Sequence, residues 1–285
     1  MNSGTEPYLS KALSRISGFW LVSICLLLAA CGGVLVHQVD SPYSHIRVVD
    51  YGSRRAMVFD DQFVQTMIDL NEPQRLQHAY ARAMMSGLLY ADRPSSILLV
   101  GLGGGAFVRF LNHYFPDTRL DAVELDPVVV QVARDYFGTQ EGPRTRIFTA
   151  DGRDFLQRSS ERYDLILLDA HLHPRETTDS TGHPLGMQTE AFYRSLHERL
   201  NPGGVVLFNL LEGDDARAYV PRIRSAFAGT EVLALPATRN LVVVARPHGP
   251  LPAEEVLAKR ARDLDRRGDY GFTFEQLLKL RQRPS

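Results

Sequence analysis

The chain has 285 residues, of which 44% are hydrophobic and 23% are charged, as expected for a globular protein with a buried core. Its formal net charge of -1 gives no electrostatic argument for nucleic acid as a partner. Both cysteines, Cys25 and Cys31, lie near the N-terminus, which excludes a cysteine zinc site and a disulfide framework from the rest of the chain. The length suits one large domain, or one domain with an appendage.

Residues 1–36 are typical of an export signal or membrane anchor. Lys11 and Arg15 precede an apolar run that ends in small residues, which is the pattern of a secretory signal. The stretch Leu28-Ala29-Ala30-Cys31-Gly32 resembles the lipobox of bacterial lipoproteins. The resemblance implies cleavage before Cys31 and lipid attachment to this cysteine, which would anchor the protein to a membrane.

Two other interpretations of this segment stay open. It is long enough to span a bilayer as an uncleaved helix, and it can also reflect a start site placed too far upstream. Lys11 and Arg15 favour a cytoplasmic N-terminus, so both membrane interpretations place the body of the chain outside the cytoplasm. We expect a membrane-anchored bacterial lipoprotein that faces the periplasm.

A small N-terminal β unit is predicted over residues 37–72, from two or three β-like runs with turn signals between them. Pro73 then opens a predicted helix over 74–90, where proline is tolerated because the first N–H of a helix has no intrahelical partner. The β-like runs cover 44–51, 54–60 and 63–70.

From residue 96 the pattern alternates between strands and helices. Residues 97–100 are apolar throughout, as expected for a parallel strand buried on both faces. The last two predicted strands, 231–235 and 241–246, are separated by about five residues, too few for a parallel crossover, so one strand is reversed. The remaining strands are predicted at 120–125, 145–149, 163–168 and 205–210, with helices at 105–114, 127–136, 153–157, 188–200 and 214–227.

This pattern predicts an α/β, Rossmann-like domain over residues 73–250, with a mostly parallel sheet of about seven strands and one antiparallel strand. Residues 251–285 are charged and predict peripheral C-terminal helices.

Glycines 101, 103, 104 and 105 stand between a buried strand and a helix. Such a turn lets backbone N–H groups approach a ligand, although glycines also cluster where a strand and a helix pack tightly. Glu124 stands at the tip of the next strand, roughly 20 residues on, where a carboxylate can accept hydrogen bonds from a ribose diol. A nucleoside-bearing cofactor is therefore predicted, either a nicotinamide dinucleotide or a sulfonium of the S-adenosylmethionine type.

Two further acids favour the sulfonium class. Asp151, followed by Gly152, ends the third strand, where it can accept from an adenine amino group, and Asp169 ends the fourth strand. Together with the reversed terminal strand, these positions favour the class I methyltransferase fold. A dehydrogenase would need a third glycine where this loop has Ala106.

Over residues 43–246 the chain resembles the spermidine synthase family of aminopropyltransferases. The resemblance implies that Gln65 contacts the nucleoside, Glu124 the ribose and Asp151 the adenine. Asp169 falls on the first acid of the family's D-S-x-D-P motif, and an aspartate there can take a proton from the attacking amine. The glycines assigned to the same cofactor site are Gly101, Gly103, Gly105 and Gly152. The matching stretches are 63–65, 101–105, 123–126, 150–152, 155–156 and 163–169.

The chain departs from the family pattern on the acceptor side. Gly104 stands where the family's G-G-G-D-G-G loop has aspartate, and the stretch after Asp169 reads Ala170-His171-Leu172-His173-Pro174, without a second acid. The family's Y-[QH]-E motif appears only as Gln77-His78-Ala79, and its late tyrosine is not evident in 236–240.

Three functions follow in order of preference. The first is aminopropyl transfer from decarboxylated S-adenosylmethionine to a small-molecule amine acceptor. The second is transfer of a methyl or other alkyl group from S-adenosylmethionine to an unknown acceptor, and the third is nucleoside binding without catalysis. No nucleic acid partner is expected, and a homodimer is compatible with the sequence.

One loop carries His171, His173, Asp179 and His183. Imidazoles and a carboxylate can hold a metal, but such a loop beside a ligand site more often acts as a lid with exposed histidines. We therefore expect a lid and no metal.

Overall fold

The computed structural model describes residues 32–60, 63–172, 176–211, 214–235, 238 and 240–282. Residues 1–31, with the predicted signal segment and Cys31, lie outside the described residues, and so does His173. Within the described ranges, no helix combines the length and the apolar character needed to cross a membrane.

The N-terminal unit is a four-stranded antiparallel sheet in which the strands lie in chain order. The first strand was not predicted, because its exposed residues Val34, Leu35 and Val36 continue the apolar run assigned to the anchor. The folded unit therefore begins before residue 37. The strands are β1 (Val34–Asp40), β2 (His45–Tyr51), β3 (Arg54–Phe59) and β4 (Phe63–Asp69).

This small sheet is packed onto the larger domain. Ile46 and Met57 from its inner face are fully buried and cluster with Val129, Val132 and Phe137. These last three side chains belong to a helix of the main domain, Pro127–Phe137. In the same interface Thr66, in the middle of β4, meets the glycine loop of the large sheet, where its hydroxyl accepts a hydrogen bond of 2.8 Å from the N–H of Gly104.

Among the described residues the main sheet has seven strands: β5 (Ser96–Val100), β6 (Arg119–Glu124), β7 (Thr145–Thr149), β8 (Tyr163–Leu168), β9 (Leu200–Leu211), β10 (Gly229–Ala234) and β11 (Asn240–Arg246). Their order across the sheet is β10-β11-β9-β8-β5-β6-β7. β5 is buried at every position, and it pairs in parallel with β6 and β8. β11 is antiparallel to both of its neighbours, so the prediction of one reversed strand is confirmed.

The helix predicted over 74–90 is replaced by two short helices, α1 (Ala79–Met84) and α2 (Gly87–Tyr90). His78, just before α1, has extended backbone angles. The chain turns again before Gly87, whose backbone packs so closely on β8 that a Cβ there would lie 2.6 Å from Leu165. Tight packing against the sheet therefore overrides the local helical pattern.

The remaining helices cover the two faces of the sheet. They are α3 (Ala106–Tyr114), α4 (Pro127–Phe137), α5 (Gly152–Arg158), α6 (Glu190–Arg199), α7 (Asp214–Ala226), α8 (Glu254–Asp265) and α9 (Phe274–Leu278).

The C-terminal helices α8 and α9 are less peripheral than predicted. Leu257, Tyr270 and Phe274 are buried and belong to the same hydrophobic cluster as the main sheet. Arg281, beyond α9, forms an ion pair of 2.7 Å with Glu231 of β10. The prediction followed the overall charge of residues 251–285, and that average does not reveal the buried apolar positions of α8.

Candidate active site

The carboxyl ends of β5, β6 and β8 border a cavity of about 380 Å³. Parallel strands end at one edge of a sheet, so the acids that follow them meet there. Gln65, from β4, closes the cavity from the N-terminal sheet. Of the residues predicted for the site, those lining the cavity are Gln65, Gly101, Gly103, Glu124, Asp151, Gly152 and Asp169.

Gly101 is fixed by the close approach of two strand ends. Its φ of +96° is in the left-handed region, which favours glycine because a side chain there is strained. A Cβ at this position would also overlap the backbone carbonyl oxygen of Asp169. The glycine therefore lets the ends of β5 and β8 meet and so sets the position of Asp169.

Gly105, the remaining glycine predicted for the cofactor site, is not among the residues that line the cavity. It occupies the position before α3 with φ of +75°, and a Cβ there would overlap Thr139. Gly104 also packs inward, where a Cβ would lie 2.7 Å from Thr66. A glycine pattern alone cannot separate close approach to a ligand from close approach to the protein's own side chains.

Arg109 stabilises the same loop through hydrogen bonds to backbone carbonyl oxygens. Its guanidinium donates to the carbonyl oxygen of Gly104 and, at 3.0 Å, to that of Phe137. It also lies 2.9 Å from the hydroxyl of Thr139. Burial lowers the pKa of Arg109 to about 10, so the group stays charged at neutral pH.

Glu124 holds the loop from the cavity side. Its Oε2 accepts a hydrogen bond of 2.8 Å from the N–H of Leu102, and its Oε1 accepts one of 3.1 Å from the N–H of Asp126. Burial raises the pKa of Glu124, and the backbone hydrogen bonds oppose this shift. Glu124 therefore both holds the backbone of the glycine loop and lines the cavity.

Asp151 caps α5 while it lines the cavity. Its Oδ1 accepts from the backbone N–H groups of Arg153 and Asp154 at 2.9 and 3.1 Å, which satisfies two unpaired donors of the helix. Gly152 follows, and a Cβ on it would overlap the side chain of Val100. The start of α5 thus lies directly against the end of β5.

Asp169 lies at the centre of the site, with 14% of its side chain exposed. Asn209 Nδ2 donates to its Oδ1 at 2.6 Å, and the hydroxyl of Tyr80 donates to its Oδ2 at 3.3 Å. Burial raises the pKa of Asp169 to about 7, the two hydrogen bonds lower it, and the charge of Glu124 raises it further. An aspartate with this pKa exchanges a proton near neutral pH, which suits a general base.

Sequence reasoning missed the two partners of Asp169. Tyr80 lies within the predicted helix over 74–90, and nothing in the helical spacing marks it as a site residue. Asn209 carried a usable signal, since it is a single amide within the apolar run of β9. A buried polar side chain needs a partner, and Asn209 finds partners in Asp169 and in Asn240, whose Nδ2 donates to it at 2.9 Å.

A second cavity, of about 310 Å³, adjoins the first. The two share Gln65, Gly103, Asp169 and His171. Asp169 therefore stands where a ligand in one cavity meets a ligand in the other. This geometry allows a group to pass between two bound molecules while a proton passes to the carboxylate.

The histidine loop differs from the predicted exposed lid. His183 is buried, and its ring centroid lies 5.7 Å from that of His171. Burial lowers the pKa of His171 to about 3 and that of His183 to about 4, so both rings are neutral. Asp179 Oδ1 accepts hydrogen bonds from the hydroxyl of Thr181 and from the backbone N–H of His183, at 2.7 and 3.0 Å. In the described part of the chain, no three histidine, cysteine or acidic side chains are grouped to hold a metal ion.

Comparison with known proteins agrees with this geometry. A family model described as "Spermine/spermidine synthase domain" matches residues 77–211. A polyamine aminopropyltransferase of Chromobacterium violaceum is 34% identical over 238 residues, which cover 82% of this chain and 87% of the relative. The match extends well beyond the glycine loop and its acids.

Two solved structures show the same fold with nucleoside ligands. Human methyltransferase-like protein 13 in complex with SAH has 26% identity and a TM-score of 0.61, over 67% of this chain and 92% of that one. A spermidine synthase in complex with the transition-state analogue AdoDATO has 18% identity and a TM-score of 0.67, over 88% and 85%. From its identity to the bacterial relative over most of both sequences, the chain belongs to the polyamine aminopropyltransferase family.

Proposed function

We propose that the protein is a transferase that moves an aminopropyl group from decarboxylated S-adenosylmethionine to an amine. The observation that carries the proposal is the position of Asp169 at the junction of two adjoining cavities. The first cavity has the acids and the glycine loop that suit a nucleoside. The second gives an acceptor access to the same carboxylate.

The residues of the site account for each step of this transfer. The lone pair of the acceptor nitrogen attacks the aminopropyl carbon bonded to sulfur, and a C–N bond forms as the C–S bond breaks. The electron pair of the C–S bond stays on sulfur, which gives neutral methylthioadenosine. The ionised carboxylate of Asp169 takes the proton that the amine loses, and Tyr80 and Asn209 hold that carboxylate in place.

Alkyl transfer of a different kind is the second candidate. Gly104 stands where the family pattern has aspartate, so the glycine loop supplies no carboxylate for the primary ammonium of an aminopropyl donor, and a human methyltransferase-like protein in complex with SAH shares the fold. Purified protein is incubated with an amine and either decarboxylated or intact S-adenosylmethionine. Release of methylthioadenosine with the decarboxylated donor supports the proposal, and release of S-adenosylhomocysteine supports methyl transfer. Nucleoside binding without release of either would support the non-catalytic interpretation.

The pH dependence of turnover follows from the pKa of Asp169. The base is ionised above its pKa of about 7, so kcat at saturating amine should rise about tenfold per pH unit below that value and level off above it. Asn209→Ala removes a hydrogen bond that lowers this pKa, so the rising limb should move to higher pH. Asn201→Ala is the control, because Asn201 donates to Asp164 instead. If the rising limb of the kcat–pH profile stays at the wild-type pH in both variants, Asp169 is not the base.

We also propose that the protein is a lipoprotein anchored through Cys31 and facing the periplasm. The support is the sequence alone, with basic residues before an apolar run that ends in Leu28-Ala29-Ala30-Cys31. In a bacterial host, globomycin or the substitution Cys31→Ser should cause a larger precursor to accumulate on an immunoblot. An unchanged band in both cases would refute lipidation.

A further inference from the structure

Three polar side chains at the carboxyl edge of the main sheet form a continuous chain of hydrogen bonds. Asn240 Nδ2 donates to Asn209 Oδ1 at 2.9 Å, and Asn209 Nδ2 donates to Asp169 Oδ1 at 2.6 Å. The three residues come from β11, from β9 and from the position directly after β8, and these strands are neighbours in the sheet. Leu168 and Phe208 are paired, and each of them directly precedes a member of the chain. The pairing of the strands therefore brings these side chains together.

The chain of hydrogen bonds has a direction that the carboxylate imposes. An ionised carboxylate only accepts hydrogen bonds, so the NH2 group of Asn209 has to face Asp169. The amide oxygen of Asn209 then faces away from Asp169 and needs a donor, because Asn209 is 3% exposed and a buried polar atom without a partner is costly. Asn240 supplies that donor. Both amides thus donate toward Asp169, and this arrangement favours the ionised carboxylate over the protonated one.

Asn209 does not fix its own orientation. The NH2 and C=O ends of an amide have nearly the same shape, so a half-turn about the last side-chain bond would place the carbonyl oxygen against Asp169. The reversed amide suits a protonated Asp169, which can donate, and works against the ionised form. Because the donor of Asn240 would then face the NH2 group of Asn209, Asn240 favours the first orientation.

We propose that Asn240 is a positioning residue for the transfer reaction, which holds the amide of Asn209 with its NH2 group toward Asp169 and so keeps that carboxylate ionised to accept the proton of the amine. Asn240 acts on the reacting atoms through Asn209. The inference rests on the proposed function for the role of Asp169 as the base. The orientation of the amide is a property of the folded chain, and its effect is measurable without turnover.

Other groups near Asp169 also act on its charge. Among the described residues, the titratable and charged side chains that face Asp169 or lie along the second cavity and behind it are Tyr80, His78, Arg82, Glu124 and His171. Burial raises the pKa of Tyr80 well above its usual value and lowers the pKa of His78 and of His171, so these three side chains are uncharged at neutral pH. All five side chains stay in every variant below, so a difference between the pH profiles of the variants reports the amides.

The first test is a cycle of two substitutions, read from the pH profile of kcat at saturating amine. Asn240→Ala removes the donor, so the rising limb should move to higher pH and kcat at pH 6 should fall about threefold, while the plateau at pH 9 is kept. In an Asn209→Ala background the same substitution should move the limb no further, because the contact with Asp169 is already lost.

The control for this cycle is an amide outside the site. Asn112 on α3 accepts a hydrogen bond of 2.6 Å from the hydroxyl of Thr145, so Asn112→Ala should leave the limb at the wild-type pH. A general loss of packing lowers stability without moving the limb. A limb that stays in place in Asn240→Ala, or that moves equally with and without Asn209, overturns the inference.

Asn240→Asp should reverse the direction of the chain. The new carboxylate has nearly the same shape but only accepts, so the NH2 group of Asn209 turns toward it and the carbonyl oxygen turns toward Asp169. The limb should therefore move further than in Asn240→Ala. The added negative charge also acts on Asp169 through space, and the same substitution in the Asn209→Ala background measures that effect alone. Equal movement in the two backgrounds would mean that the amide orientation plays no part.

A titration without turnover separates this inference from the proposed reaction. Protein with isotope-labelled aspartate carboxyl carbons is followed by NMR against pH, with methylthioadenosine bound and no amine present. The resonance of Asp169 is identified by its absence from Asp169→Asn. A higher titration midpoint in Asn240→Ala than in the wild type supports the inference even if no amine gives product, in which case the proposed function alone fails. An unchanged midpoint overturns the inference whether or not transfer occurs.

Discussion

Asp169→Asn is expected to abolish turnover while the nucleoside still binds. The substitution keeps the shape of the side chain but removes the group that accepts the proton of the amine. Loss of a general base typically lowers kcat by about 10²- to 10⁴-fold, whereas the dissociation constant of methylthioadenosine should change little, because Glu124 and Asp151 line that cavity. Single-turnover release of methylthioadenosine and equilibrium binding measure the two effects separately.

Thermal stability distinguishes a catalytic role of Asp169 from a structural one. Its folded-state pKa of about 7 lies above the ordinary aspartate value of 3.8, so the aspartate favours the folded state most at low pH. That contribution is lost as the pH rises from about 4 to about 7. At pH 8 the asparagine variant should therefore melt no lower than the wild type. Retained turnover, or a clear fall in melting temperature at pH 8, would contradict this assignment.

Asp164, on the same strand, provides the matched control. Burial opposes its ionisation, but hydrogen bonds from Asn201, Ser95 and Ser96 outweigh burial and hold the pKa of Asp164 below its usual value. Its stabilising contribution is present above that usual value and is lost as the pH falls. Asp164→Asn should therefore lower the melting temperature at pH 7 and leave kcat unchanged, the opposite of the pattern expected at Asp169.

The positions of the acids were predictable because they depend on topology. Glu124, Asp151 and Asp169 each follow a strand of a parallel sheet, and the carboxyl ends of such strands share one edge. The reversed strand was predictable for a similar reason, since the connection before β11 is too short for a crossover. Local pattern and chain length fix these features without knowledge of the packing.

The features that escaped prediction depend on contacts between distant segments. Tyr80 reaches Asp169, which lies 89 residues further along the chain, because α1 packs against β9 and β11. The burial of His183 depends on neighbours such as Tyr219, whose ring centroid lies 4.9 Å away. The inward packing of Gly105 against Thr139 is likewise invisible in a glycine-rich pattern. The acceptor cavity is built largely from such contacts, which explains why the nucleoside half was easier to predict.

Gly101→Ala is expected to have the largest effect on stability. The left-handed φ of +96° costs an alanine about 1 kcal/mol. The new Cβ also overlaps the carbonyl oxygen of Asp169, and relief of such overlap by backbone movement typically costs about 1–3 kcal/mol or more. Denaturant unfolding should therefore show a loss of about 3 kcal/mol in the free energy of unfolding, as the sum of the two effects.

Gly52→Ala measures the cost of a left-handed backbone angle without the steric overlap that is present at Gly101. Gly52 also has a left-handed φ, +63°, but no atom lies within 4 Å of the position of its Cβ. This variant should lose only about 1 kcal/mol and keep its full kcat. Gly101→Ala should also lose activity, because the atom that must move belongs to the backbone of Asp169. Equal losses of stability in the two variants, with turnover intact in both, would show that the ends of β5 and β8 can separate without disturbing the base.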